Sequence, residues 1–218
     1  MPNDASLVNY YARRANEYER IYQKPERQAD LAALKKLCAQ SLAGHHVLEI
    51  ACGTGYWTQP VSQTAKSIVA TDINDEVLQI ARTKEYSCEG AFQRADAFNL
   101  ESLAINNPTA GMAMHWWSHL RKSEIHKFLD GYHRVFPPGA LLVFMDNRFV
   151  AGSSTPISRT DGEGNTYQLR CLQDGTEHEV LKNFPSKTEI KSILSSSATE
   201  IRWMELPYYW FLIYRLKQ

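Results

Sequence analysis

The chain lacks a net charge: 24 lysines and arginines stand against 24 aspartates and glutamates. A general grip on nucleic acid or on an anionic membrane needs an excess of positive charge, so neither is an expected partner. Cysteine is scarce as well. Cys38, Cys52, Cys88 and Cys171 include no C-x-x-C pair and fall in segments that read as buried helix or strand, a pattern that fits a reducing compartment and makes a zinc site an unexpected feature. Long apolar runs are missing. The longest, YYWFLIYRL at 208–216, is far short of the roughly 20 residues that cross a bilayer. The charged start, MPNDASLVNYYARRANEYE, offers no apolar stretch of signal-peptide length. There is no internal repeat, low-complexity tract or interdomain linker. These absences predict a soluble, cytoplasmic protein without a membrane partner.

What is present reads as one α/β domain. A chain of 218 residues suits a single large domain, and it would bury roughly 70% of the surface its unfolded form exposes, enough for a core without staples. Tyr11, Arg14, Tyr18 and Tyr22 recur at spacings of three and four, which predicts a helix over 10–22. A second helix near 26–41 turns Leu31, Leu34, Leu37 and Cys38 inward. The period then changes. HVLEIA (46–51), SIVATD (67–72), AFQRAD (91–96), GMAMHW (111–116) and ALLVFMD (140–146) read as strands alternating with helical segments, the first buried and the last apolar enough for the sheet centre, and that alternation means parallel neighbours with helices on both faces. Pro137, Pro138 and Gly139 stop the helix expected over 123–136.

The last third is different. NTYQLRCL and TEHEVLKNF flank Asp174-Gly175, a hairpin signal. Ser186 and Glu189 form a capping box that starts a final helix. TEIRWMEL and YYWFLIYRL, separated by Pro207, predict an antiparallel pair.

The stretch that carries chemistry is Val47-Leu48-Glu49-Ile50-Ala51-Cys52-Gly53-Thr54-Gly55, a strand running into a glycine turn. Glycines there let a ligand lie against bare backbone at the carboxyl edge of a parallel sheet. The dinucleotide pattern G-x-G-x-x-G is only half met, because its third glycine position holds Thr58. This motif, with the acids that end the next two strands, resembles the class I S-adenosylmethionine-dependent methyltransferases over about residues 45–146. The Tyr-Tyr-x-x-Arg-Ala start, Gly55-Tyr56-Trp57-Thr58 and Arg170-Cys171-Leu172-Gln173-Asp174-Gly175 are similar to small-molecule members, phosphonate O-methyltransferases among them.

The resemblance implies a seven-stranded, mostly parallel sheet with an antiparallel last strand. It divides the chain into a helical lid (1–44), a cofactor-binding core (45–146), a hairpin insert (147–185) and a closing helix with strands (186–218). It also implies S-adenosyl-L-methionine as cofactor and S-adenosyl-L-homocysteine as product. Gly53 and Gly55 would lie under the methionine end, with the Ala51 carbonyl near its amino group. Asp72, with Ile73 beside it, would take the ribose hydroxyls, and Asp96 and Ala97 the adenine. Tyr11 and Arg14 would close the lid, Arg14 clamping the methionine carboxylate. His115 and Trp116 would line the sulfonium side, and His119 or His115 would be an optional base.

Tyr18, Arg170 and Lys182 are candidates for binding the acceptor, the two cations favouring an anionic one. Asp146-Asn147 resembles half of a magnesium site, but two oxygen ligands are too few, so no metal is expected. The Asn/Asp-Pro-Pro-aromatic element of nucleic-acid adenine methyltransferases is absent. Alternatives still open at this point are a nucleic-acid or protein methyltransferase and a non-catalytic cofactor-binding protein of the same fold. The oligomeric state and the atom methylated are left open too.

Overall fold

The computed structural model describes residues 5–217 except Ser102, Ala104 and Asn106. The first four residues of the expected lid segment, those three positions of the expected core and Gln218 of the closing segment lie outside the described residues. The amino-terminal helix is two pieces rather than one: α1 spans Ala5–Arg13 and a 3₁₀ helix spans Ala15–Tyr22. The break falls at Arg14. In the 3₁₀ stretch side chains three apart line up, which stacks Ala15, Tyr18 and Ile21 on one edge. A second 3₁₀ turn, Pro25–Arg27, leads into α2 (Gln28–Ser41).

Five strands and their crossover helices follow: β1 (His46–Ile50), α3 (Thr58–Ser62), β2 (Ser67–Asp72), α4 (Asp75–Arg82), β3 (Glu89–Arg94), β4 (Ala110–Met114), α5 (Ile125–His133) and β5 (Leu141–Asn147). The insert supplies β6 (Arg159–Thr160), β7 (Thr166–Cys171) and β8 (Glu177–Leu181), after which come α6 (Lys187–Leu194), β9 (Ala198–Glu205) and β10 (Tyr209–Leu216). The main sheet runs β3-β2-β1-β4-β5-β10-β9. The first five strands in that order are parallel, and β10 is antiparallel to both neighbours.

Strand alternation explains why both faces are covered. Val47 and Val143 point to the layer of Leu31, Leu34 and Cys38 from α2, whereas their neighbours Leu48 and Phe144 point to Phe128, Tyr132, Ile190 and Leu194 from α5 and α6. Consecutive apolar residues are what a strand buried on both sides needs. The Ser186–Glu189 capping box forms, the Glu189 amide donating to Ser186 Oγ at 3.2 Å and the Ser186 amide to Glu189 Oε2 at 2.7 Å.

The insert is a separate sheet, β6-β7-β8, and β6 is a strand the sequence pattern did not signal. Its hairpin turn is longer than two residues: Leu172 pairs with Thr176, and Gly175 sits at φ 81°, the left-handed position of a three-residue loop. Tyr10, Leu172 and Val180 pack together, so α1 and the insert close jointly over the carboxyl edge of the main sheet. Among the described residues no helix is long and apolar enough to cross a membrane.

Candidate active site

The site begins where the parallel strands end. Past β1 the chain enters the left-handed region at Ala51 (φ 51°) and Gly53 (φ 54°), and past β4 it does so at His115 (φ 58°). Two of these carry a Cβ, so the surrounding structure holds backbone that costs on the order of 1 kcal/mol each. Asp72, the last residue of β2, fixes the glycine turn: its Oδ2 accepts from the Gly53 amide at 2.9 Å and its Oδ1 from the Asn74 amide at 3.0 Å. Burial pushes its carboxyl up to about 6, with the amides of Asn74 and Gly53 pulling the other way.

Ala51, Gly53, Asp72, Ile73, Ala97 and Trp116 line a crevice of about 80 Å³. Tyr11 and Tyr18 from the lid roof it, and the Tyr18 ring stands 3.5 Å from where a Cβ on Gly53 would be. Two residues expected here lie elsewhere. Gly55 (φ 77°) does not line the crevice; a Cβ on it would collide with the Tyr86 hydroxyl, which donates to the Ala81 carbonyl at 2.8 Å. Its lack of a side chain is therefore demanded by packing. Asp96 accepts from the Phe98 amide at 2.9 Å and turns its own loop, while its neighbours Ala95 and Ala97 face the crevice.

On the other side of the roof lies a larger chamber of about 370 Å³. Arg14, Arg20, Lys24, Arg27, Arg170 and Lys182 line it, against one acid, Glu17. Arg14 donates to the Tyr10 hydroxyl at 3.0 Å and lies 5.7 Å from the Tyr10 and Tyr18 ring centres. It faces the chamber and not the crevice. Arg27 is buried, bonded to the Ser153 hydroxyl and carbonyl and set against the rings of Tyr208 and Tyr209. Arg170 donates to Gln168 Oε1 at 2.8 Å and reaches the Tyr11 hydroxyl at 3.5 Å. Among the described residues, no carboxylate lies within ion-pair distance of these three guanidinium groups.

Lys182 is different. It follows β8 rather than lying within the paired strands, and it is bonded to Asp146 Oδ1 at 2.8 Å and to Ser118 Oγ at 2.5 Å. Burial alone would raise Asp146; the ammonium of Lys182, with His115 nearby, instead holds it well below the usual carboxylate range. Asp146 also accepts from the Ser118 amide at 2.9 Å and the Asn147 amide at 2.7 Å. Its oxygens are thus taken by donors, and among the described residues no cluster of three metal-ligating side chains forms.

Tyr11, Tyr18, His115 and His119 line both cavities. His119 Nδ1 lies 2.7 Å from the Leu181 carbonyl, which can only accept, so Nδ1 carries the proton and Nε2 accepts from the Tyr11 hydroxyl at 2.8 Å. Burial, with the charges of Lys182 and Arg170, keeps His119 neutral well below its ordinary value. His115 is buried 3.6 Å from Asp146, and neither ring nitrogen has a hydrogen-bond partner; nor has the indole nitrogen of Trp116. Trp117 and Trp210 in the core are equally unpaired, but His115 and Trp116 line the crevice, where a ligand can supply the partner.

Arg20, Lys24, Arg27, Gln168 and the Ser153–Thr155 loop are chamber residues that sequence reasoning missed. Arg27, in Pro-Glu-Arg-Gln at a helix start, looks like an ordinary exposed charge. The one available signal is that 152–156 follows the fifth strand, where loops of such sheets carry function.

Comparison with known proteins agrees with this geometry. The family described as "Methyltransferase domain" matches residues 47–139. A malonyl-[acyl-carrier protein] O-methyltransferase of Serratia marcescens is 22% identical over 215 residues, covering 91% of this chain and 80% of its own length. The DhpI-SAH complex superposes with a TM-score of 0.77 at 27% identity, covering 97% of this chain and 96% of that one. The DhpI-SAM-HEP complex gives the same score at 26% identity, covering 96% of each. The chain carries a methyltransferase domain in the class I methyltransferase fold and is an enzyme that uses S-adenosylmethionine.

Proposed function

We propose that the protein methylates an oxygen of a small organic acid, a carboxylate or a phosphonate, held in the cationic chamber. The observation that carries this reading is the set of three guanidinium groups, Arg14 and Arg170 partly buried and Arg27 buried, facing one half-open cavity without an acid partner. Charges kept from bulk water cost several kcal/mol unless matched, so an anion is the expected occupant. The Serratia relative's name refers to a malonyl group, itself a carboxylic acid, methylated on oxygen. The cations face inward on a chain of no net charge, which disfavours nucleic acid.

The residues fit the cofactor. Asp72 closes the crevice with a carboxylate suited to two ribose hydroxyls, and the unpaired nitrogens of His115 and Trp116 await partners. Ile73 and Ala97 flank the adenine space, with Asp96 acting only through its loop. The Ala51 carbonyl takes the amino group, while Arg14 stays turned to the chamber. When bound, S-adenosylmethionine supplies a methyl group already activated by its sulfonium. The chain then has to align the acceptor and exclude water.

Arg14, Arg27 and Arg170 hold the acid, and Tyr11, whose hydroxyl proton goes to His119, shapes the passage to the crevice. Lys182, tied to Asp146, adds positive potential without leaving its partner. An acid ionised near pH 7 has no proton to lose, so His119 and His115 serve as hydrogen-bond partners rather than bases. Residues 1–218 form one methyltransferase domain in this reading. A cytoplasmic setting fits Cys38, Cys52, Cys88 and Cys171, all free thiols.

The test is turnover with labelled S-adenosylmethionine against panels of short carboxylic acids, phosphonic acids, alcohols and amines, with products identified by mass. Methyl esters of acids are expected. Transfer confined to the neutral alcohols or amines would refute the reading.

A further inference from the structure

A second, apolar space adjoins the chamber. Between the insert and α6 runs a groove of about 500 Å³ lined by Phe149, Ile157, Phe184, Pro185 and Ile193, with Lys122 and Glu189 also on its wall. Among the described residues, Phe149, Ile157, Leu169 and Met204 are the large apolar side chains left exposed, at 43%, 39%, 47% and 44%. Two of these four face this one groove. Exposed apolar surface gathered in one concavity marks a binding place more than scattered exposure does.

The groove is continuous with the acceptor site in two ways. Phe184 lines both spaces. The loop after β5 that sends Phe149 and Ile157 into the groove also sends Ser153, Ser154 and Thr155 into the chamber. Phe184, the side chain common to both spaces, meets Phe149 edge to face with ring centres 5.4 Å apart. Phe149 is exposed enough to change rotamer without disturbing the core.

Resting on the anionic-acceptor reading, we propose that the acceptor is amphiphilic: its acid head sits among Arg14, Arg27 and Arg170, and an unbranched apolar tail passes Phe184 into the groove. The cationic chamber and the apolar groove then serve the two ends of one molecule. A purely polar acid would leave Phe149 and Ile157 in water. Each methylene buried along the groove strengthens binding about three- to fourfold.

Calorimetry on the protein saturated with S-adenosylhomocysteine, titrated with straight-chain alkylphosphonic acids of two to eight carbons, tests this. Affinity should climb with length once the chain is long enough to pass Phe184. A Phe149→Ser/Ile157→Ser double variant, altered only at exposed positions, should flatten that climb while leaving the two-carbon acid unaffected. Arg170→Gln should weaken every member of the series alike. Measurable affinity that does not depend on length, or a climb unchanged in the double variant, would overturn the tail and leave the anionic head standing. No binding at any length would overturn both.

Discussion

Arg170 and Lys182 line the same chamber, yet the structure predicts opposite consequences of losing them. Lys182 and Asp146 are both buried and 2.8 Å apart. Replacing Lys182 by Gln leaves Asp146 with the Ser118 and Asn147 amides, a neutral His115 at 3.6 Å and no full counter-charge. Breaking such a pair costs about 3–5 kcal/mol. For a domain of this size each kcal/mol moves Tm by about 2–4 °C, so Lys182→Gln should melt roughly 6–20 °C below the wild type. Arg170 has neutral partners, Gln168 and Tyr11. Its loss leaves no charge stranded, so Arg170→Gln should melt within about 3 °C of the wild type, since it falls under none of the severe mechanisms. It removes a charged hydrogen bond to the acceptor worth about 1.5–3 kcal/mol, or roughly 10- to 100-fold in kcat/KM. Differential scanning calorimetry and initial rates on an identified acid measure both quantities. A Lys182→Gln protein as stable as the wild type would refute the buried pair. An Arg170→Gln protein with unchanged kcat/KM would refute its contact with the acceptor.

Asp72→Ala should weaken S-adenosylhomocysteine binding by about 10- to 100-fold through loss of a charge-assisted pair, and wild-type affinity should rise between pH 5 and pH 7 as the carboxyl held near 6 ionises; flat calorimetric profiles for both would dismiss the ribose role. Glu49 is buried, and that burial raises its carboxyl from 4.5 to about 8 against the hydrogen bond from Thr58. The folded state keeps the proton, so this group's contribution to stability is full below pH 4.5 and is lost as pH rises toward 8. Glu49→Gln should remove that decline by several kcal/mol, read by urea unfolding at pH 5 and pH 8; parallel losses in both proteins would contradict it. Hydrogen exchange across residues 5–22 should slow when S-adenosylhomocysteine is added, because that segment roofs the crevice through Tyr11 and Tyr18. Equal protection with and without ligand would make it ordinary core.

The central strands were legible because they are apolar on both faces: SIVATD (67–72) coincides with β2 residue for residue, whereas β3, a largely exposed edge strand, begins two residues before AFQRAD, and among the described residues no helix joins it to β4. The glycine turn and Asp72 were legible because they are contiguous or end a strand. The backbone break at Arg14 was not, since a 3₁₀ stretch repeats nearly as an α-helix does and the tyrosine spacing serves both. Gly55 shows the limit of motif reading: its partner, Tyr86, is 31 positions away and satisfies a packing demand that looks like a ligand demand in sequence. The pairing of Lys182 with Asp146 was invisible for the same reason. Arg14, Arg27 and Arg170 come from a helix junction, a 3₁₀ turn and an insert strand, and only tertiary folding brings their charges into one chamber.

The most direct test of the two-cavity account is a crystal structure with S-adenosylhomocysteine and a short alkylphosphonic acid bound together. The account predicts the adenosine against Asp72, the phosphonate among Arg14, Arg27 and Arg170, and one acid oxygen within about 3–3.5 Å of the position a methyl on the sulfur would occupy. An acid bound away from those arginines, or a cofactor product outside the Asp72 crevice, would contradict it.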